Sequence, residues 1–149
     1  MAEPVNGPLL PRAVSVLALE LSGPVPMFLC VSRRGFPDSV CMPGGKVDPG
    51  EDEAQAAIRE TFEETGVLAD RADLVPLFAG ICPPGPDGRA FWSTTYLLRP
   101  GFDISKAGTR EPGIFVSVRP LALLSSELDA FPEYNARALA SLREMLPGI

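Results

Sequence analysis

The sequence contains no histidine. That excludes Ser–His–Asp triads, imidazole general bases and histidine metal ligands. Cysteine is scarce as well: Cys30, Cys41 and Cys82 are an odd number at unrelated spacings. They form neither a disulfide framework nor a zinc motif, and fit the reduced, buried thiols of a cytoplasmic protein. Long apolar runs are missing. The longest, 13–21 and 25–31, are too short for a membrane span, and no segment reads as a signal peptide. Positive charge is in deficit, with 13 Lys and Arg against 19 Asp and Glu and a net charge of −6. This argues against a nucleic-acid-binding surface. A phosphate-bearing substrate stays open, because a bound divalent cation inverts the local field.

What is present suits one globular domain. Hydrophobic residues make up 46% and charged residues 21% of 149 residues. Seventeen prolines are scattered between short elements, and 1–11 reads as a loose tail ahead of a single domain over 12–149. Strands are expected over 12–21, 26–32, 73–82, 89–98 and 113–118 from their alternation and branched residues. A loop is expected at 35–39 and a closing helix over 134–145, with Ala136, Leu139, Leu142 and Leu146 inward. Strands on both sides of a central helix, then a late helix, point to an α/β (α+β) chain with a mixed sheet between helices.

Residues 45–67 read GKVDPGEDEAQAAIRETFEETGV. A helix beginning near Glu51 or Asp52 places acids in its first turn, where the macrodipole favours them. Ala54, Ala57, Ile58, Thr61, Phe62 and Thr65 then recur at helical spacing as the inward face. Gly66 fits a C-terminal cap. Glu60, Glu63 and Glu64 become neighbours, and like charges at that spacing cost roughly 0.2–0.5 kcal/mol per pair. A hard divalent cation needs several oxygen ligands, which this set supplies. Arg59, four residues before Glu63, is placed to orient it, with Glu51 holding Arg59 from the other side. Gly44 and Gly45 are expected to adopt backbone conformations denied to other residues.

The same residues resemble the signature of the Nudix hydrolases, G-x5-E-x7-R-E-U-x-E-E-x-G-U with U apolar. Gly45, Glu51, Arg59, Glu60, Glu63, Glu64, Gly66 and Val67 fill it, and Thr61 at the first U is the one departure. The resemblance implies the Nudix α/β/α sandwich. It also implies Mg²⁺ or Mn²⁺ held by Glu60, Glu63 and Glu64, with the Gly44 carbonyl as a further ligand. Glu51 and Arg59 match the family's structural salt bridge. The implied reaction is metal-dependent hydrolysis of a pyrophosphate bond in a nucleoside diphosphate linked to X. The proton acceptor is open between Glu64, Glu60 and an acid on a later loop, with Glu111 in the place where several relatives carry an extra ligand or base.

Substrate choice in such enzymes lies outside the signature. Arg33, Arg34, Lys46, Arg89, Trp92 and Glu111 are the candidate substrate contacts, and Phe36, Phe78, Phe91 and Tyr96 are further candidates for stacking on a base. The compact length is closer to MutT-like enzymes, so a nucleoside triphosphate, standard or damaged, is the expected substrate and a nucleoside monophosphate a product. ADP-ribose and dinucleoside polyphosphates are the alternatives. A proline about fifteen residues past the signature marks ADP-ribose hydrolases, and Pro83 and Pro84 stand 16 and 17 residues past Val67. The other class of reading is a nucleotide-binding regulatory module without catalysis, which usually lacks a signature glutamate. Homodimers are common in the family.

Overall fold

The computed structural model describes residues 10–82 and 90–149. Among these, seven strands and two α-helices run in the order β1 (Arg12–Glu20), β2 (Met27–Arg33), β3 (Phe36–Cys41), β4 (Gly44–Lys46), α1 (Glu53–Thr65), β5 (Leu74–Cys82), β6 (Phe91–Leu98), β7 (Val116–Pro120) and α2 (Pro132–Met145).

β1 is the pivot. One edge runs parallel to β6 from Arg12–Trp92 to Ala18–Leu98, which makes the sheet mixed. The other edge serves two partners: Ala13–Ser15 pair with β4, and Leu19 and Glu20 pair with β2. The sheet therefore parts along that edge. β4 stays with the N-terminal part of β1, β6 runs along most of its opposite edge with β5 beyond, and β3 and β7 flank β2.

Alternation along β1 sends successive side chains to opposite layers. Val14, Val16 and Ala18 pack with Ala56 and Ala57 of α1. Leu17 and Leu19 pack on the other face with Leu139 and Leu142 of α2. Both layers are buried, and truncating Leu17 to Ala, at 0% exposure, should cost about 2–5 kcal/mol. The result is the expected α/β/α sandwich.

α1 starts at a capping box. The Asp52 carboxylate accepts from the Gln55 amide at 2.8 Å, and the Gln55 side chain accepts from the Asp52 amide at 2.7 Å. It ends at Gly66, whose φ of +79° is the left-handed cap glycine tolerates, with its N–H on the Phe62 carbonyl.

Several expectations shift. Residues 35–39 are not a loop: a two-residue turn at Arg34 and Gly35 leads straight into β3. Gly35, with φ +83°, permits that turn, and Pro37 is tolerated because β3 is an edge strand. Residues 113–118 give way to β7 at Val116–Pro120, where pairing with Met27–Val31 sets the limits. On α1 the buried stripe is Ala56, Ala57, Thr61 and Thr65, while Phe62 is turned outward. On α2, Ala138 is buried and Ala136 is exposed. Pro83, Pro84, Arg89 and most of the tail lie outside the described residues.

Candidate active site

Where β4 and β2 part from β1, a cleft of about 470 Å³ opens, within the range of small-ligand sites. Glu64 of α1 and the Gly44–Gly45 backbone of β4 line it, and so do Phe91 of β6 and Phe131 and Tyr134 at the start of α2. Arg33, Arg34 and Lys46 also line it.

α1 and β4 assemble the acidic part together. The Gly44 amide donates to Glu64 Oε1 at 2.7 Å. Arg12 bonds Val47 and Val16 bonds Pro43, so Gly44 between them is a non-bonded residue of the ladder. Its N–H and carbonyl both point away from β1. Neither Gly44 nor Gly45 has a positive φ, so conformational freedom is not why glycine stands there. Space is the reason. A Cβ on Gly44 would strike the Val14 carbonyl, and one on Gly45 would lie 2.5 Å from the Glu60 carboxylate.

Arg59 is the hub beneath. It grips Glu51 through Nε at 2.7 Å and Nη2 at 2.9 Å, and donates to the Lys46 carbonyl at 3.0 Å. Nη1 reaches Glu60 at 3.0 Å and Glu63 at 3.3 Å. The two-pronged contact holds the Glu51 carboxyl down at about 2. This clamp joins α1 to the β4 loop and fixes the pitch of the glutamate face.

The two inner carboxylates are strained electrostatically. Burial pushes Glu64 up to about 8 against the pull of the Gly44 amide, and Glu60, Glu111 and Glu63 add to the rise. Burial also raises Glu60, opposed by Arg59. Among the described residues no three acidic or thiol side chains converge as a preformed metal cluster. The donor set nonetheless fits a hard divalent cation. Glu60 and Glu64 are partly buried like charges flanking an outward-facing backbone carbonyl, with Glu63 at the rim, and a cation would relieve their repulsion.

The other candidates separate. Arg33 lies over the Phe36 ring at 5.3 Å. Arg34 pairs with Glu111 at 3.6 Å. Trp92 does not line the cleft; it shares its strand face with Thr94, which donates to Glu53, the first residue of α1. Phe91, one residue earlier, lines the cleft and meets Phe131 edge-on at 5.8 Å. Phe36 is exposed, and Phe78 packs on Tyr134 at 5.4 Å.

Sequence reasoning did not find the far wall. Asp129 is buried and accepts from the Ser125 and Phe131 amides and from Asn135 Nδ2, the last at 2.9 Å on both oxygens. This holds Asn135 against the cleft. Tyr134 bonds Thr95 at 2.8 Å, and Thr95 bonds Ser15 at 2.7 Å. The signal available was Pro132 as a helix start, which places 134 and 135 in the first turn. Cys41 and Cys82 also line the cleft, with burial pushing them up to about 12 and about 11, so both are neutral thiols near neutral pH.

The NUDIX domain family model matches residues 9–135. The chain belongs to the Nudix family. A Nudix relative, Nudix hydrolase 3 of Caenorhabditis elegans, is 51% identical over 43 residues, covering 29% of this chain and 17% of that one. The chain spans less than a third of the length of the curated relatives it matches first. Among solved Nudix structures, a MutT NUDIX hydrolase from Burkholderia pseudomallei superposes with a TM-score of 0.68 at 22% identity, covering 89% of this chain and 97% of that one. The NUDIX domain of Shewanella oneidensis NrtR, in complex with ADP ribose, gives 0.74 at 18% identity, covering 97% and 94%. These likenesses show the Nudix α/β/α fold. Nudix hydrolases generally use divalent metals. No helix among the described residues is long and apolar enough to cross a membrane.

Proposed function

We propose that the cleft hydrolyses the pyrophosphate bond of a nucleoside triphosphate, standard or damaged, with Mg²⁺ or Mn²⁺, releasing a nucleoside monophosphate. The observation that carries this is the coupling of Glu64 with Glu60 beside the Gly44–Gly45 backbone, in a cleft that Glu64 lines together with Phe91, Phe131 and Tyr134. A nucleotide joins the same two chemistries, a flat base and anionic phosphates.

Glu60, Glu63 and Glu64 would hold the cation, with the Gly44 carbonyl beside them. When bound there, such a cation would supply charge neutralisation at the diphosphate and would lower the pKa of a water. Arg59 and Glu51 keep the three glutamates at fixed pitch and do not touch substrate. Glu64, Glu60 or Glu111 receives the water's proton. Arg33, Arg34 and Lys46 face the phosphates, and Phe91 and Phe131 stack the base.

A second reading, ADP-ribose, is supported by the likeness to the NrtR domain in complex with ADP ribose. Product analysis separates the two. Incubation of nucleoside triphosphates, ADP-ribose and dinucleoside polyphosphates with Mg²⁺, resolved by anion exchange, should show a nucleoside monophosphate plus pyrophosphate from a triphosphate. AMP plus ribose phosphate from ADP-ribose alone would replace the first reading by the second.

A further inference from the structure

Phe62 is an aromatic residue on the outer side of α1, 38% exposed and directly before Glu63 and Glu64. Its ring does not simply face water. The Arg110 guanidinium lies over it, 4.6 Å from the centroid. Two further contacts join the same loop to the same end of the helix. The Gly108 amide donates to the Thr65 carbonyl at 2.9 Å. The Lys106 carbonyl comes within 2.9 Å of where a Cβ on Gly66 would stand, an approach that glycine permits.

The loop is tied from the opposite side by the β2–β3 turn. Arg34 pairs with Glu111 at 3.6 Å and donates to the Pro112 carbonyl. Residues 106–112 are thus strung between the end of α1 and the turn that carries Arg34. Glu111 lies between these anchors, and its partner Arg34 lines the same cleft as Glu64. After burial, the Glu111 charge is one of the causes that raise the Glu60 and Glu64 carboxyls.

We propose that Phe62 and Arg110 are positioning residues, a stacked latch that holds the 106–112 loop so that the Glu111 carboxylate faces Glu60 and Glu64. The inference rests on the reading of those glutamates as the reacting site. The latch acts through Glu111 and touches no substrate. Its location explains why an aromatic side chain occupies an outward position next to two acids: the ring supplies a face for a guanidinium, which an aliphatic residue does not.

Hydrogen exchange on the metal-free protein tests the latch without turnover. Phe62→Leu and Arg110→Ala should each speed exchange of the Gly108 amide about two- to fivefold, the hold of an exposed cation–π contact. Amides of α1 and β1 should keep their rates, and Phe62→Tyr should match the wild type. Unchanged exchange at Gly108 in both variants overturns the latch. Kinetics then test its purpose. At saturating substrate and Mg²⁺ the same two variants should lower kcat about two- to fivefold with KM unchanged. Both should lose that effect in a Glu111→Gln background. Losses that multiply with Glu111→Gln would mean that the latch does not work through Glu111, which overturns the proposal. A wild-type protein without turnover on any nucleotide defeats the proposed reaction instead, and the exchange result still decides the latch.

Discussion

Replacing Glu64 by Gln should stabilise the metal-free protein at neutral pH while removing the site's chemistry. Folding lifts the Glu64 carboxyl from an ordinary 4.5 to about 8, chiefly by burial. In that window the folded chain binds more protons than the unfolded chain, so stability falls as pH rises. The group costs nothing below about 4.5 and its full penalty above about 8. At 1.36 kcal/mol per unit the ceiling is about 5 kcal/mol, approached only if nothing else relaxes. Burial raises Glu60 too, so it adds to the fall in the same direction. Glu51 titrates at about 2, and Cys41 and Cys82 at about 12 and about 11, so they stay silent between pH 5 and 8. The assay is urea unfolding in EDTA at intervals from pH 5 to 8, for wild type and Glu64→Gln. Wild type should lose a few kcal/mol over the range, and the variant should lose clearly less. Mg²⁺ should restore wild type at pH 8 and do little for the variant. Parallel pH profiles, or equal rescue of both proteins by Mg²⁺, would refute the placement of Glu64 in a buried, cation-seeking site.

Thr61 has the one buried side-chain oxygen among the described residues without a hydrogen-bond partner. Thr61→Val keeps the shape and should raise stability by about 1–2 kcal/mol in thermal unfolding, with turnover unchanged. Gly45→Ala sets a methyl 2.5 Å from the Glu60 carboxylate and should cut kcat at least tenfold, on the order of the loss of one transition-state contact. Gly44→Ala meets backbone instead and should lower the unfolding midpoint by several degrees, as β4 is pushed off β1. Arg59→Lys loses the two-pronged grip on Glu51, whose carboxyl sits at about 2. The stability that this pairing adds is full above about 4.5 and is lost as pH falls through about 2. Acid unfolding of the Lys variant should therefore begin at a higher pH than that of wild type, followed by circular dichroism.

The acidic helix was legible because its information is local. A capping Asp52, a terminal Gly66 and acids at helical spacing lie within one short stretch, and Arg59 and Glu51 are only eight residues apart. The strands were legible to within a few residues where branched, aromatic and apolar residues concentrate, as in β1 and β6. β3 was hidden because Pro37, Asp38 and Gly35 read as loop, and edge position is a property of the sheet rather than of the segment. Helical spacing groups Phe62 with the inward face; its actual partner, Arg110, lies far along the chain. The role of Gly44 and Gly45 was read as backbone freedom, whereas it comes from neighbours 29 or more residues before Gly44 and 15 residues after Gly45, at Ser15 and Val14 and at Glu60. The far wall of the cleft, with Phe131, Tyr134 and Asn135, depends on how α2 docks. Trp92 and Phe91 show how one residue of register decides which aromatic meets the cleft.

The most direct test of the central claim is turnover of a nucleoside triphosphate panel by wild type and Glu64→Gln, with Mg²⁺ and with EDTA, read as nucleoside monophosphate formed. The account predicts product from wild type with Mg²⁺, none in EDTA, and a loss of at least a hundredfold in the variant, the order expected when a transition-state group is removed. Equal turnover with Mg²⁺ and EDTA, or a Glu64→Gln variant as active as wild type, would contradict it.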